Sequence, residues 1–208
     1  MDTTAIAQLL EPFIQLDEIR LFAISKYIDL LLKWNARINL TAIRTPEEIV
    51  QRHFGESFFA ANSLLSQGTV KDVVDLGSGA GFPGMPFAML APEAHVTLIE
   101  SNYKKATFLK ELVFSLSLRN VTVFAGRAEM FSGAASVVTM RAVENFDKTL
   151  PLALRLVESG GRIALMIGSS QVNATEKLAG QVEWDKPIVI PGGHSRVLFV
   201  GTKRVKVE

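Results

Sequence analysis

Two hydrophobic periodicities divide this chain. Over residues 17–35, apolar and polar positions alternate at helical spacing, with Ile19, Phe22, Ala23, Tyr27, Leu30, Leu31 and Trp34 tracing one face. Asp17 stands where an N-cap is needed. A shorter helix is expected around Ile6 to Phe13, limited by Pro12. Thr45-Pro46-Glu47-Glu48 joins a capping hydroxyl, a proline at the first helical position and a glutamate at the third, which predicts a helix running to about Leu65. No strand pattern precedes Val70. Beyond it, strand-like runs fall near 71–76, 95–100, 120–125, 136–140, 160–167, 187–191 and 196–202, with helical segments at about 84–91, 102–118 and 145–158.

Strands alternating with helices predict an α/β fold with a doubly wound, mainly parallel, seven-stranded sheet. The last two runs are separated only by Pro191-Gly192-Gly193, turn chemistry that predicts an antiparallel hairpin. The expected organisation is a helical segment over 1–66 packed on an α/β domain over 67–208.

The first strand runs into Asp75-Leu76-Gly77-Ser78-Gly79-Ala80-Gly81-Phe82-Pro83-Gly84. Such glycines let the backbone turn sharply and approach a ligand without Cβ clashes. Glu100 ends the next strand-like run, where a carboxylate can accept both hydrogen bonds of a ribose diol. The pair marks an adenine-nucleoside site in a Rossmann-like fold, with Ser78, Gly79 and Ser101 beside it. Read from Gly79, the loop fits the dinucleotide pattern G-x-G-x-x-G; read from Asp75, it fits the acid-x-G-x-G-x-G pattern of S-adenosylmethionine (SAM) methyltransferases. A turn serving only strand–helix packing is the third possibility. Asp75 sits poorly beside a pyrophosphate but well near a cationic amino-acid tail. Pro83 and Pro86 also remove N–H donors that a pyrophosphate would use. These features, with the terminal hairpin, favour SAM, leaving S-adenosylhomocysteine as product.

Composition narrows the chemistry further. The 208 residues suffice for one α/β domain with an appendage. Lys and Arg number 22 against 21 acids, so any footprint for nucleic acid must be local. Cysteine is absent, which excludes disulfides, thiolate nucleophiles and Cys-ligated zinc. His53, His95 and His194 lie far apart, and no metal site is expected. Met1-Asp2-Thr3-Thr4 carries no positive side chain and no apolar run reaches about 18 residues, so neither a leader nor a membrane span is expected. A cytoplasmic monomer is expected.

Ala128 and Glu129 follow the third strand, where an acid can edge an adenine, although Glu129 also fits a solvated helix start. Arg141 ends the fourth strand, beside the expected methyl donor or paired with Glu144 on the surface. The strand end lacks the Asn/Asp-Pro-Pro-aromatic run of enzymes that methylate exocyclic amines, and the chain lacks the cysteine of RNA cytosine-C5 enzymes. A cationic, cysteine-free strand end fits a nucleophile that needs no deprotonation, such as guanine N7.

Trp34-Asn35, Asn39-Leu40-Thr41-Ala42-Ile43, Arg52-His53 and Glu56-Ser57, together with the D-L-G-S-G-A-G-F-P-G loop, R-A-E at 127–129 and T-M-R-A at 139–142, carry a specific resemblance. The chain resembles the glucose-inhibited division protein B family, bacterial guanine-N7 methyltransferases of small-subunit ribosomal RNA. The resemblance spans nearly the whole chain. It implies that Gly77, Phe82, Ala128, Glu129 and Arg141 contact SAM. It makes Asn39 a catalytic candidate beside Arg141, and His53 and Arg196 candidates on the RNA side. Structural alternatives are an Asx turn at Asn39, a core histidine at His53 and a hairpin surface charge at Arg196. Phe54, Phe58 or Phe82 could stack on a base or fill the core. Two positions depart from the family pattern: Glu56 replaces an aspartate, and Ile167 replaces a lysine before Gly168. Either Lys148, Arg155 or the basic tail Lys203-Arg204-Val205-Lys206 takes its place or affinity for RNA is weaker, and Arg37, Arg44, Lys104, Lys105 and the tail could supply a local basic footprint.

Overall fold

The helix expected over 17–35 forms, but rotated about its axis. A computed structural model describes residues 1–142, 145–193 and 195–205, so Val143, Glu144, His194 and Lys206 lie outside the described residues. In α2 (Glu18–Asn35) the buried side chains are Leu21, Ile24, Tyr27, Ile28, Leu31 and Asn35. Ile19 and Phe22 are 82% and 62% exposed, and Ala23, Leu30 and Trp34 are half-buried. Apolar residues cover more than one face of this helix, so the pattern predicts a helix without fixing its phase. The stripe at 21, 24, 28 and 31 wins because it meets α1 (Thr3–Leu10) and the sheet's helical layer.

α1 starts earlier than expected because Asp2 accepts from Thr4 N and Ala5 N at 3.0 and 3.2 Å. The helix opened by Thr45 begins as α3 (Pro46–Glu48), widens into a π-helical stretch at Ile49–Gly55 and continues as α4 (Glu56–Leu65). Thr45 Oγ1 accepts from Glu48 N at 3.4 Å and donates to the Glu48 carboxylate at 2.9 Å. The wide turn carries Arg52 and His53 and delivers Glu56 at its end.

Among the described residues the sheet has eight strands where seven were expected. They are β1 (Asp72–Leu76), β2 (His95–Glu100), β3 (Val121–Ala125), β4 (Ala135–Arg141), β5 (Val157–Gly168), β6 (Val182–Trp184), β7 (Ile188–Val189) and β8 (Arg196–Lys203). Their order is β3-β2-β1-β4-β5-β8-β6, with β7 also paired to β8. The first five are mutually parallel, and β8 runs antiparallel to β5, β6 and β7. The expected hairpin is therefore present as β7 and β8. β6 was missed because three residues carry too little alternation to register. The intervening helices are α5 (Gly84–Leu90), α6 (Tyr103–Ser115) and α7 (Phe146–Leu156); α8 (Val172–Leu178) had not been anticipated.

One face of the sheet shares a continuous core with α1, α2, α4, α5 and α6, from Ile6 and Tyr27 to Val73, Leu98 and Phe108. The other packs on α7 through Val74, Val138, Leu150 and Leu154. Arg162 ties the helical segment to β5 by donating to Leu64 O and Gln67 Oε1 at 3.0 and 2.9 Å. The strand order reverses between β1 and β4, where ligands of such sheets sit beyond the strand C-termini. Because β8 is antiparallel, its first residue, Arg196, pairs with Gly168 at that same edge. No described helix is long and apolar enough to cross a membrane.

Candidate functional site

Beyond β1, Gly77 N and Ser78 N both donate to Ile99 O at 3.0 Å, so the loop is pinned across β2 before it turns. Gly77, Gly79 and Gly81 have φ of +74°, +56° and +95°, a region that disfavours side chains. Asp75 is buried behind this loop. Its Oδ1 accepts from Thr139 Oγ1 at 2.8 Å and its Oδ2 from Gly84 N at 3.1 Å. The β1–β4 register, which sets Asp75 opposite Thr139, creates the first contact. Asp75 thus organises the loop and does not line its open face.

The first turn of α5 has no N–H to spare for a pyrophosphate. Gly84 N is donated to Asp75, Met85 N to Gly81 O and Phe87 N to Pro83 O, and Pro86 has none. The dinucleotide alternative lacks its anion site. Glu100, by contrast, suits a ribose. Its Oε2 accepts from Gly79 N at 2.9 Å and its Oε1 from Asn102 N at 2.7 Å. Each oxygen keeps a lone pair for a hydroxyl.

A crevice of about 900 Å³ opens at the C-terminal ends of β1 to β4. Gly77, Ser78, Gly79 and Phe82 form one wall, Glu100 and Ser101 another, and Ala128 and Glu129 a third, on the turn after β3. Arg141 closes the side toward β4, while Thr41 and His53 reach in from the helical segment. Among the residues singled out by sequence, Asp75, Asn39 and Arg196 lie outside this lining. Asn39 is exposed, and the loop-closing work falls on Asn35. Asn35 Oδ1 accepts from Leu40 N and Thr41 N at 2.9 and 3.1 Å, and its amide donates to Thr41 O at 3.0 Å. A polar residue on the buried edge of a helix's last turn was the available signal.

His53 belongs to a ring stack. It lies over Phe82 at 4.8 Å and 21°, Phe82 lies over Tyr27 at 5.2 Å and 11°, and Phe54 meets both phenyl faces edge-on. Phe54 and Phe58 are fully buried and serve the core. Tyr27 O–H donates to Ala80 O at 2.6 Å, fastening the glycine loop to α2. His53 Nε2 pairs with Thr41 Oγ1 at 2.8 Å. Burial, reinforced by Arg141, Arg52 and Arg196, pushes its pKa down to about 3, so the ring is neutral at physiological pH.

Burial raises the Asp75 carboxyl to about 6, against its hydrogen bonds. The two groups oppose each other in acid. His53, with a depressed folded pKa, contributes stability present above about 6.5 and lost as pH falls toward 3. Asp75, with a raised folded pKa, favours folding most below about 3.8, a contribution lost as pH rises through about 6. Asp75→Asn keeps both contacts if the Thr139 hydroxyl reverses its role. Its melting temperature at pH 7.5 should therefore equal or exceed that of the natural chain. A loss of several degrees in thermal unfolding would contradict the cost assigned to the buried charge.

Glu56, which sequence alone did not place, is the centre of the remaining polar site. Its side chain is 2% exposed. Oε2 accepts from Arg141 Nη2 at 3.2 Å, while Oε1 takes Arg196 Nη2 and lies 3.7 Å from Arg52 Nε. Arg141 Nη2 also donates to Arg52 O at 2.6 Å. Burial lowers the Arg141 pKa to about 10, which leaves it charged. Burial likewise raises the Glu56 carboxyl, and the three guanidinium groups oppose that shift. Among the described residues, no cluster of His, Cys, Asp or Glu could hold a metal ion.

A family model described as rRNA small subunit methyltransferase G (GidB) matches residues 20–192. The chain belongs to that family. A ribosomal RNA small subunit methyltransferase G from Roseiflexus castenholzii is 41% identical over 204 residues, covering 91% of this chain and 86% of the relative. Another, from Myxococcus xanthus, is 37% identical over 179 residues, covering 84% and 80%. Solved structures share the fold at lower identity. TYW2 from M. jannaschii, in complex with AdoMet, aligns with a TM-score of 0.54 and 19% identity over 65% of this chain and 69% of its own. A fibrillarin pre-rRNA processing protein from Methanococcus jannaschii aligns at 0.55 and 18%, over 65% and 67%.

Ile167 is buried, so that strand end carries an apolar side chain where the resemblance led one to expect lysine. Lys203, one proposed replacement, is committed to Leu154 O and Val157 O at 2.9 and 2.6 Å. Lys148 and Arg155 are exposed on α7, and Arg37, Arg44 and Lys104 are also exposed. Lys105 lines the crevice.

Proposed function

We propose that this chain transfers a methyl group from SAM to N7 of a guanine in small-subunit ribosomal RNA. Membership of the rRNA small subunit methyltransferase G family is the observation that carries this reading. The crevice chemistry supports the cofactor: spare carboxylate lone pairs at Glu100, exposed backbone at Gly77 and Gly79, and a polar edge at Ser101, Ala128 and Glu129. When bound, SAM supplies an activated methyl group. Glu100 holds the ribose, the glycine loop carries the amino-acid tail with the Asp75 charge behind it, and Ala128 and Glu129 edge the adenine.

Guanine N7 presents a free lone pair at neutral pH, so the chain needs no general base. Neutral His53, with its pKa near 3, fits that demand. The protein's contribution is orientation, by Arg141 at the crevice wall and by the exclusion of water from it. The base has to be unstacked or presented in a loop to enter.

Incubating small-subunit ribosomal RNA with SAM labelled in its methyl group, then digesting to nucleosides, tests this directly. Label should appear in 7-methylguanosine; label in another nucleoside, or none, would defeat the assignment. Glu100→Gln tests the cofactor pose. Loss of charged acceptors costs about 1.5–3 kcal/mol, so the SAM dissociation constant should rise about tenfold or more by calorimetry. An unchanged constant would remove Glu100 from the ribose.

A further inference from the structure

We propose that Glu56 is a positioning residue for methyl transfer, a single buried carboxylate that sets the geometry of Arg141 and Arg196 at the edge of the crevice. The inference rests on the functional reading above and names a residue that acts through others. Glu56 joins parts of the chain 85 and 140 positions away, the ends of β4 and β8. Both of its oxygens are used, one by Arg141 and the other by Arg196 and Arg52. Three guanidinium groups crowded this closely would repel one another without an anion among them. Two of their buried nitrogens, Arg141 Nη1 and Arg196 Nε, have no protein partner. The cluster therefore keeps a net charge of +2, from three cations and one anion, which attracts a polyanionic substrate.

Glu56 thus has two opposing effects. Its charge weakens the general attraction of RNA, while its two oxygens fix where the arginines stand. Removing the charge at constant shape separates the two. Glu56→Gln leaves one acceptor oxygen for three arginines and raises the local charge, so RNA is held as well or better but in the wrong place.

The full chain and its E56Q and E56D variants are compared on purified small-subunit ribosomal RNA, in single-turnover methyl transfer over a range of salt. SAM affinity and melting temperature are measured alongside. E56Q should lose at least tenfold in maximal rate, with a half-saturating RNA concentration that does not rise, a steeper salt dependence and a SAM dissociation constant within twofold. E56D, which keeps the charge, should recover most of the rate. Unchanged turnover in E56Q would overturn the proposal. So would a rate loss that tracks SAM affinity or melting temperature, or an E56D variant no better than E56Q. If E56Q does not fold, an E56D rate as low as that of Arg141→Ala would overturn it equally. Failure of the natural chain itself to methylate ribosomal RNA would instead bring down the functional reading, and this inference with it.

Discussion

Replacing Arg141 by alanine should lower the maximal rate of methyl transfer by about 100-fold, a loss of about 2.7 kcal/mol of transition-state stabilisation. The expectation comes from where the side chain stands. It ends β4, lines the crevice, and is held from behind by Arg52 O and Glu56. Its Nη1 has no protein partner. The substitution does not strand Glu56, because Arg196 and Arg52 still face its carboxylate. Folding should therefore survive. Single-turnover rates with saturating RNA and SAM, beside a thermal melt, make the comparison. A rate within threefold of the natural chain would take Arg141 out of the reaction.

Gly81→Ala should damage both stability and cofactor binding. At φ +95° any side chain is strained. A Cβ there would also collide with the Tyr27 hydroxyl and stand 2.9 Å from Met85 Cγ. Tyr27 cannot simply retreat, since it is fully buried, bonded to Ala80 O and stacked on Phe82. Overpacking and strain together should cost about 2–4 kcal/mol, which lowers the melting temperature by about 5–15 °C. The displaced loop should also weaken SAM binding by an order of magnitude or more. A variant that melts within two degrees of the natural chain and binds SAM normally would show that α2 does not brace the loop.

Much of the site was legible because its parts are close together in sequence. The run from Asp75 to Gly84 is one strand, one loop and one helix start, and Glu100 follows one strand later. Local chemistry sufficed there. The phase of α2 was not legible, since apolar residues such as Ile19 and Phe22 compete with Leu21 and Ile24 for the buried face, and only tertiary packing chooses. Asn39 drew attention as a polar residue in a motif, yet the hydrogen bonds belong to Asn35, four positions earlier on the helix. Glu56 was visible only as a departure from a pattern. Its partners come from β4 and β8, and their meeting follows from the antiparallel insertion of β8, which no local periodicity encodes. The π-helical stretch that delivers His53 and Glu56 was equally silent, because its residues read as ordinary helix.

Calorimetric titration of the purified chain with SAM and with S-adenosylhomocysteine tests the central claim most directly. One molecule of either should bind per chain, and Glu100→Gln should weaken both. Absence of heat for both ligands, with the protein folded, would contradict the assignment of the crevice beyond β1 and β2.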